Sequence, residues 1–220
     1  MKKYILLSVL LTGCNAPAPS FTPFANSTAN PAVSPQLQRF SASSMDTARK
    51  GFATAQKAVK EVDPQAQLFE IDVWQEPAGK SLHYGFLPSQ ADGTSAWKVI
   101  MDVKTQQVKV ERGHQGTQKN LVNLPQWKMD SDAIYAHAQK NGLRDTYYLA
   151  TLWEDTWHIS GLKQHLYFQM NARNGAIKFR CIGPYLNSCT DANGEPVGAL
   201  SQAGNQQGFQ KHLNARQQGR

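Results

Sequence analysis

The chain has 220 residues, 40% hydrophobic and 18% charged, with a formal net charge of +7 at pH 7. That length accommodates one or two modest domains, and the low apolar content assigns part of it to polar segments outside any core. No run of 18 apolar residues occurs, which excludes a multi-span helical membrane protein; residues 45–190 carry 17 Lys and Arg against 14 Asp and Glu, too even a balance for a polyanion binder.

Lys2 and Lys3 precede the short apolar run Tyr4 to Leu11, and Leu11-Thr12-Gly13-Cys14 follows. The layout is that of a secretory signal, and the run is too short to span a bilayer. Those last four residues resemble the lipobox of bacterial lipoproteins. The resemblance implies cleavage before Cys14, a diacylglyceryl group on its thiol and acylation of the new amino terminus. Each buried methylene contributes about 0.8 kcal/mol, so several acyl chains hold a protein on a membrane surface. The expected location is the extracytoplasmic bacterial cell envelope, with residues 1–13 the signal peptide; an ordinary signal peptide cleaved nearby is the alternative. Residues 14–44, with Pro17, Pro19, Pro23, Pro31 and Pro35 among Ser, Thr, Ala and Asn, have the composition of a linker. Roughly 30 such residues, at about 5–6 Å × √n, place a folded part about 30 Å from its anchor.

Met45, Ala48, Phe52, Ala55, Val59 and Val62 recur at spacings of three and four, which predicts a helix over 45–62 with Ser44 available as N-cap and Pro64 beyond its end. Period-two patterns follow at Leu68–Trp74, Leu82–Phe86, Trp97–Met101 and Val108–Val110. Asp130 or Ser131 can cap a second helix, ended by Asn141-Gly142, and strands follow at 146–153, 156–159, 165–170 and 176–180. Ala53–Lys57 aligns with Ala136–Lys140 at an offset of 83, and the strand pairs at an offset of 69. The order therefore reads as an internal repeat over 45–113 and 130–190, with 114–129 as connector and 191–220 as a disordered polar tail. The predicted fold is α+β, two repeats of one helix packed on an antiparallel sheet of about four strands, with the joining of both into one curved sheet left open.

Asp102-Val103-Lys104-Thr105-Gln106-Gln107-Val108 resembles the hairpin of the PepSY family, whose units end in Asp-Ala-x-Thr-Gly-x-Val, and Asn171-Ala172-Arg173-Asn174-Gly175-Ala176-Ile177 is similar. Gln106 stands where the pattern has its turn glycine, and Asn171 and Asn174 replace Asp and Thr. The layout also looks like that of β-lactamase inhibitor protein. The resemblance implies a non-catalytic extracytoplasmic binding or inhibitory module, with no catalytic residues to carry over.

With Cys14 acylated, Cys181 and Cys189 remain as a pair, and Gly183, Pro184 and Asn187 between them allow the chain to fold back. In an exported chain that predicts a disulfide. The six histidines have no ligand spacing, Gly-x-Ser-x-Gly is absent, and no glycine-rich phosphate loop follows a strand, so no catalytic residue, metal site or cofactor is expected. His158 and His165 flank the turn at Gly161 and are read as able to meet across strands. Of the aromatic and apolar residues in the strands, Trp74, Tyr148, Leu152 and Tyr167 are assigned to the sheet face opposite the helices, where exposed side chains would anchor a protein or peptide partner; the alternative is that the C-terminal tail or a neighbouring strand covers them. The expected partners are thus a membrane, through the N-terminal lipid, and an envelope protein or peptide, with no nucleic acid. A structural envelope lipoprotein without a ligand and an envelope hydrolase are the alternatives.

Overall fold

The structure is a computed structural model that describes residues 38–39, 45–90, 95–114, 120–183 and 188–197. The signal-peptide expectation for residues 1–13, Cys14, the 14–44 linker apart from residues 38–39, and the tail from residue 198 lie outside the described residues. Among the described residues, the strands are β1 (Gln38–Arg39), β2 (Gln67–Glu76), β3 (Gly79–Leu87), β4 (Ser95–Asp102), β5 (Gln107–His114), β6 (Tyr148–Trp153), β7 (Thr156–Gly161), β8 (Leu166–Asn171), β9 (Ile177–Ile182), β10 (Ser188–Asp191) and β11 (Pro196–Val197). The helices are α1 (Ala48–Lys60) and α2 (Ser131–Lys140).

All the strands form one sheet in the order β1-β5-β4-β3-β2-β6-β7-β8-β9-β10-β11, every neighbouring pair antiparallel. This corrects the expectation of two repeats, each a helix on its own sheet of about four strands. Where an edge should separate two sheets, β2 and β6 pair over six residues, from Glu70 opposite Trp153 to Gln75 opposite Tyr148. The broader α+β assignment holds. The tail boundary at 191 is also displaced, since residues 188–197 form the β10–β11 hairpin. Its few apolar residues hid it from a reading of periodicity.

Both helices pack on the same face, over one continuous core. Ala48, Ala55, Ala58 and Val59 of α1 and Ile134 and Ala138 of α2 meet Ile71, Val73, Leu82, Tyr84, Val99, Ala150, Leu152, Trp157, Ile159 and Phe168 there. The helices are locked together at their N-termini by one carboxylate. Asp130 accepts from Ser131 N (2.7 Å) at the start of its own helix, from Arg49 N (2.8 Å) at the start of α1, and from Thr47 Oγ1 (2.5 Å), while Ser131 Oγ accepts from Ala48 N (3.0 Å). The N-cap of α1 is therefore Thr47 and not Ser44. Four N–H groups at each helix start need acceptors, and here two helices share them.

In β2 the backbone bulges between Leu68 and Glu70, so Phe69 falls out of parity with Ile71 and Val73 and lies over Gly85, where a Cβ would come within 2.8 Å of its ring. Gly51 sits mid-helix in α1 because Tyr84 crowds it: the Tyr84 hydroxyl reaches past to donate to Ala48 O at 2.7 Å. Gln106 holds φ at 60°, a left-handed conformation that favours glycine, in the hairpin where the PepSY pattern has one. The corresponding turn residue of the β8–β9 hairpin is Gly175 at φ 74°.

Two stability outcomes follow. Gly51→Ala should destabilise by about 1–3 kcal/mol in urea denaturation although alanine is the better helix former, because the new methyl overlaps Tyr84 and Leu82. Gln106→Gly should stabilise by up to about 1 kcal/mol by removing left-handed strain; a loss of that size would show instead that the Gln106 side chain contributes more than its backbone costs.

Candidate functional site: the helix-free face of the sheet

Period-two alternation sends every other strand residue away from the helices. Registers then align these residues in rows across the sheet. One row runs His83, Asp72, Thr151, His158 and Gln169, each directly opposite the next on β3, β2, β6, β7 and β8. On one side of it lie Glu70, opposite both Gly85 and Trp153. On the other, Ser81, Trp74, Leu149, Ser160, Tyr167, Cys181 and Cys189 run in register out to β10.

The polar groups of this face bond to one another. Thr151 Oγ1 donates to Asp72 Oδ1 at 2.7 Å, and Trp153 Nε1 donates to Glu70 Oε1 at 2.6 Å. Gln169 Nε2 donates to the Tyr167 hydroxyl at 2.9 Å, and that hydroxyl lies 2.6 Å from His158 Nδ1, within hydrogen-bond distance. Ser81 Oγ lies 3.2 Å from His83 Nε2. The Trp153 and His158 rings are 4.6 Å apart between centroids.

Burial shifts the ionisation of these groups. Desolvation, reinforced by the neighbouring Asp72 charge, pushes the Glu70 carboxyl up to about 8 against the opposing Trp153 hydrogen bond, so it is mostly protonated at neutral pH. Desolvation, with Lys178 nearby, pushes His158 down to about 3 and keeps it neutral. Desolvation raises the Tyr167 hydroxyl well above its ordinary range.

The four predicted anchors are all buried, with exposures of 6% for Trp74, 4% for Tyr148, 0% for Leu152 and 5% for Tyr167. Tyr148 and Leu152 belong to the helix-side core, which corrects their assignment to the other face. In the run Tyr148-Leu149-Ala150-Thr151-Leu152-Trp153 both parities are bulky and all six residues are buried, so alternation could not fix which set faces the helices. Trp74 and Tyr167 do lie on the helix-free face, Trp74 with Leu149 and Tyr167 with Cys181 and Cys189. Cys181 and Cys189 form a disulfide across directly paired positions of β9 and β10. His158 does not meet His165, which occupies a turn at φ 49°; its partner is Tyr167. The sequence holds no separate signal for the row, since the alternation of Glu70 and Asp72 with Ile71 and Val73 has the same period whether their face is wet or covered.

Among the described residues no group of three or more His, Cys, Asp or Glu is placed to hold a metal ion. A shallow open depression on the outer side of α1, lined by Ala53, Gln56, Lys57, Lys60 and Glu61, lies on the other side of the sheet from the row. Among the described residues no helix is long and apolar enough to cross a membrane. The class defined by this geometry is an α+β protein with one long antiparallel sheet, two helices on one face and a closed polar and aromatic row on the other.

No family model and no curated protein matches the chain. The PepSY resemblance therefore extends no further than the two hairpins, and PepSY-like repeats are not carried forward. Among solved structures, that of a Clostridium difficile 630 protein described as a putative lipoprotein is similar at 12% identity and a TM-score of 0.43, over 57% of this chain and 88% of that one. At that score the likeness decides neither fold nor function.

Opposite pH dependences follow for Glu70 and His158. For Glu70 the folded protein holds the proton more tightly than the unfolded chain, so its contribution to stability falls as pH rises from about 4.5 to about 8. Glu70→Gln, which keeps an acceptor for Trp153, should remove that loss and leave the variant more stable than wild type at pH 9. For His158 the unfolded chain binds the proton more tightly, so stability falls as pH drops from about 6.5 towards 3. Chemical denaturation at a series of pH values reads both; a Glu70→Gln profile parallel to wild type between pH 5 and 9 would contradict the first.

Proposed function

We propose that this chain is a lipid-anchored, non-catalytic module of the bacterial cell envelope that binds a protein or peptide on the helix-free face of its sheet. The observation that carries the reading is the closure of that face. An antiparallel sheet covered by helices on one side ordinarily leaves the other in water. Here Trp74, Leu149, Thr151, His158, Ser160 and Tyr167 are nearly inaccessible, although the helices and the continuous core lie on the other side. A surface of aromatic rings and polar groups at strand spacing suits an added chain, which can lay side chains between the rows. Trp74 and Tyr167 are its anchors.

The catalytic alternative has less support, since the polar groups of the row bond to one another. The anchor reading rests on Lys2, Lys3 and Leu11-Thr12-Gly13-Cys14, and the Cys181–Cys189 disulfide fits an oxidising compartment outside the cytoplasm.

Cys14→Ser should move the protein from the membrane to the soluble fraction and remove the acyl mass; full membrane retention at unchanged mass would reject the tether. A photo-crosslinking side chain at Ile100, at the less covered end of the face, should form an adduct with another envelope protein in intact cells, while the same group at Lys57 on α1 should not. Equal labelling from both positions, or none from Ile100, would favour a structural lipoprotein without a ligand.

A further inference from the structure

We propose that the resident occupant of the helix-free face is the chain's own C-terminal segment, residues 198–220, lying across β8, β7, β6 and β2. The proposal rests on the reading of that face as a binding surface and names what fills it when no partner is present.

The position of the burial points to this segment. On β2, β3, β6, β7 and β8 the helix-free residues Asp72, Trp74, His83, Leu149, Thr151, His158, Ser160 and Tyr167 are buried. Further along the same face, Lys98, Ile100 and Asp102 of β4 and Lys109 and Glu111 of β5 are only half-buried. Whatever covers the face therefore lies over its centre and its β8 side, away from the β1 edge.

The C-terminal part leaves from the covered side. Val197, the last residue of β11, packs against Tyr167, Cys181 and Cys189, a cluster that belongs to the helix-free face. Residues 198–220 begin there. From β11 to β2 the sheet spans six strand spacings, about 30 Å. Phe209 follows Val197 by 12 residues, a reach of up to about 40 Å, so it can arrive over Trp74 and Leu149.

Chemistry agrees with reach. The segment carries Lys211, Arg216 and Arg220 and no acid, and its large apolar residues are Leu200, Phe209 and Leu213. Strand β2 presents Asp72 and Glu76 on this face around Trp74. Basic side chains beside that acidic strand and Phe209 on the aromatic rings would satisfy both halves of the surface. The Gln and Asn residues between them supply donors and acceptors that the buried polar row can accommodate.

The test is photo-crosslinking in the purified full-length chain at dilution, with p-benzoylphenylalanine at position 209 in one preparation and at position 24 in another, adducts being mapped by mass spectrometry. The expected result is intramolecular adducts from position 209 to peptides containing Trp74, Leu149 or Tyr167. Their yield should fall several-fold in a Lys211→Glu, Arg216→Glu variant. Adducts from 209 confined to α1 or α2, or found only in cross-linked dimers, would overturn the proposal. So would adducts on the face from position 24 and none from 209, which would leave the face a binding surface with a different occupant. Absence of adducts on the face from either position, together with absence of labelling from Ile100 in cells, would remove both the occupant and the binding reading.

Discussion

The pairing of β2 with β6 is the constraint on which the rest of the fold depends. Six residues on each side are joined antiparallel, and their side chains serve opposite faces: Ile71 with Leu152 and Val73 with Ala150 enter the core, while Asp72 with Thr151 and Glu70 with Trp153 hydrogen-bond on the other side. A slip of one residue would send Asp72 and Glu70 into the apolar core and bring Ile71 and Val73 out. Register here is thus enforced twice, by apolar burial on one face and by charge desolvation on the other.

Because that seam makes one sheet of the strands, both helices must share one side of it. Asp130 is the consequence: its carboxylate serves the N-termini of α1 and α2 together, and the favourable position of an anion at two helix starts ties the halves of the helical layer. The core beneath is continuous, with Phe52 of α1 meeting Trp127 of the connector edge to face at 5.8 Å. The connector in turn joins both halves by backbone bonds, Val122 N to Leu68 O and Asn123 N to Glu154 O.

The helix-free face carries a different kind of order. Buried polar groups stabilise little in net terms when paired but cost about 1–3 kcal/mol each when left unpaired. The pairs Asp72–Thr151, Glu70–Trp153 and His158–Tyr167–Gln169 therefore fix side-chain orientation more than they add stability. A face held in this way presents a defined pattern of rings and polar atoms.

Much of the secondary structure was legible in the sequence because it depends on local spacing. The three-and-four recurrence of Ala48, Ala55 and Val59, the Asn141-Gly142 stop and the alternation in Leu68–Trp74 place α1, α2 and the eight long strands within a few residues of where they lie. The turn residues between Cys181 and Cys189 indicated their disulfide for the same reason. Tertiary structure alone decided three things. It joined the strands into one sheet, because which strand pairs with which depends on contacts distant in sequence. It turned Tyr148 and Leu152 towards the helices, because a strand apolar at every position carries no parity signal. And it buried Asp72 and His158 and left Glu70 half-buried, because whether a polar residue of the right parity meets water or another side chain is set by what covers the sheet, and period-two alternation looks the same in either case.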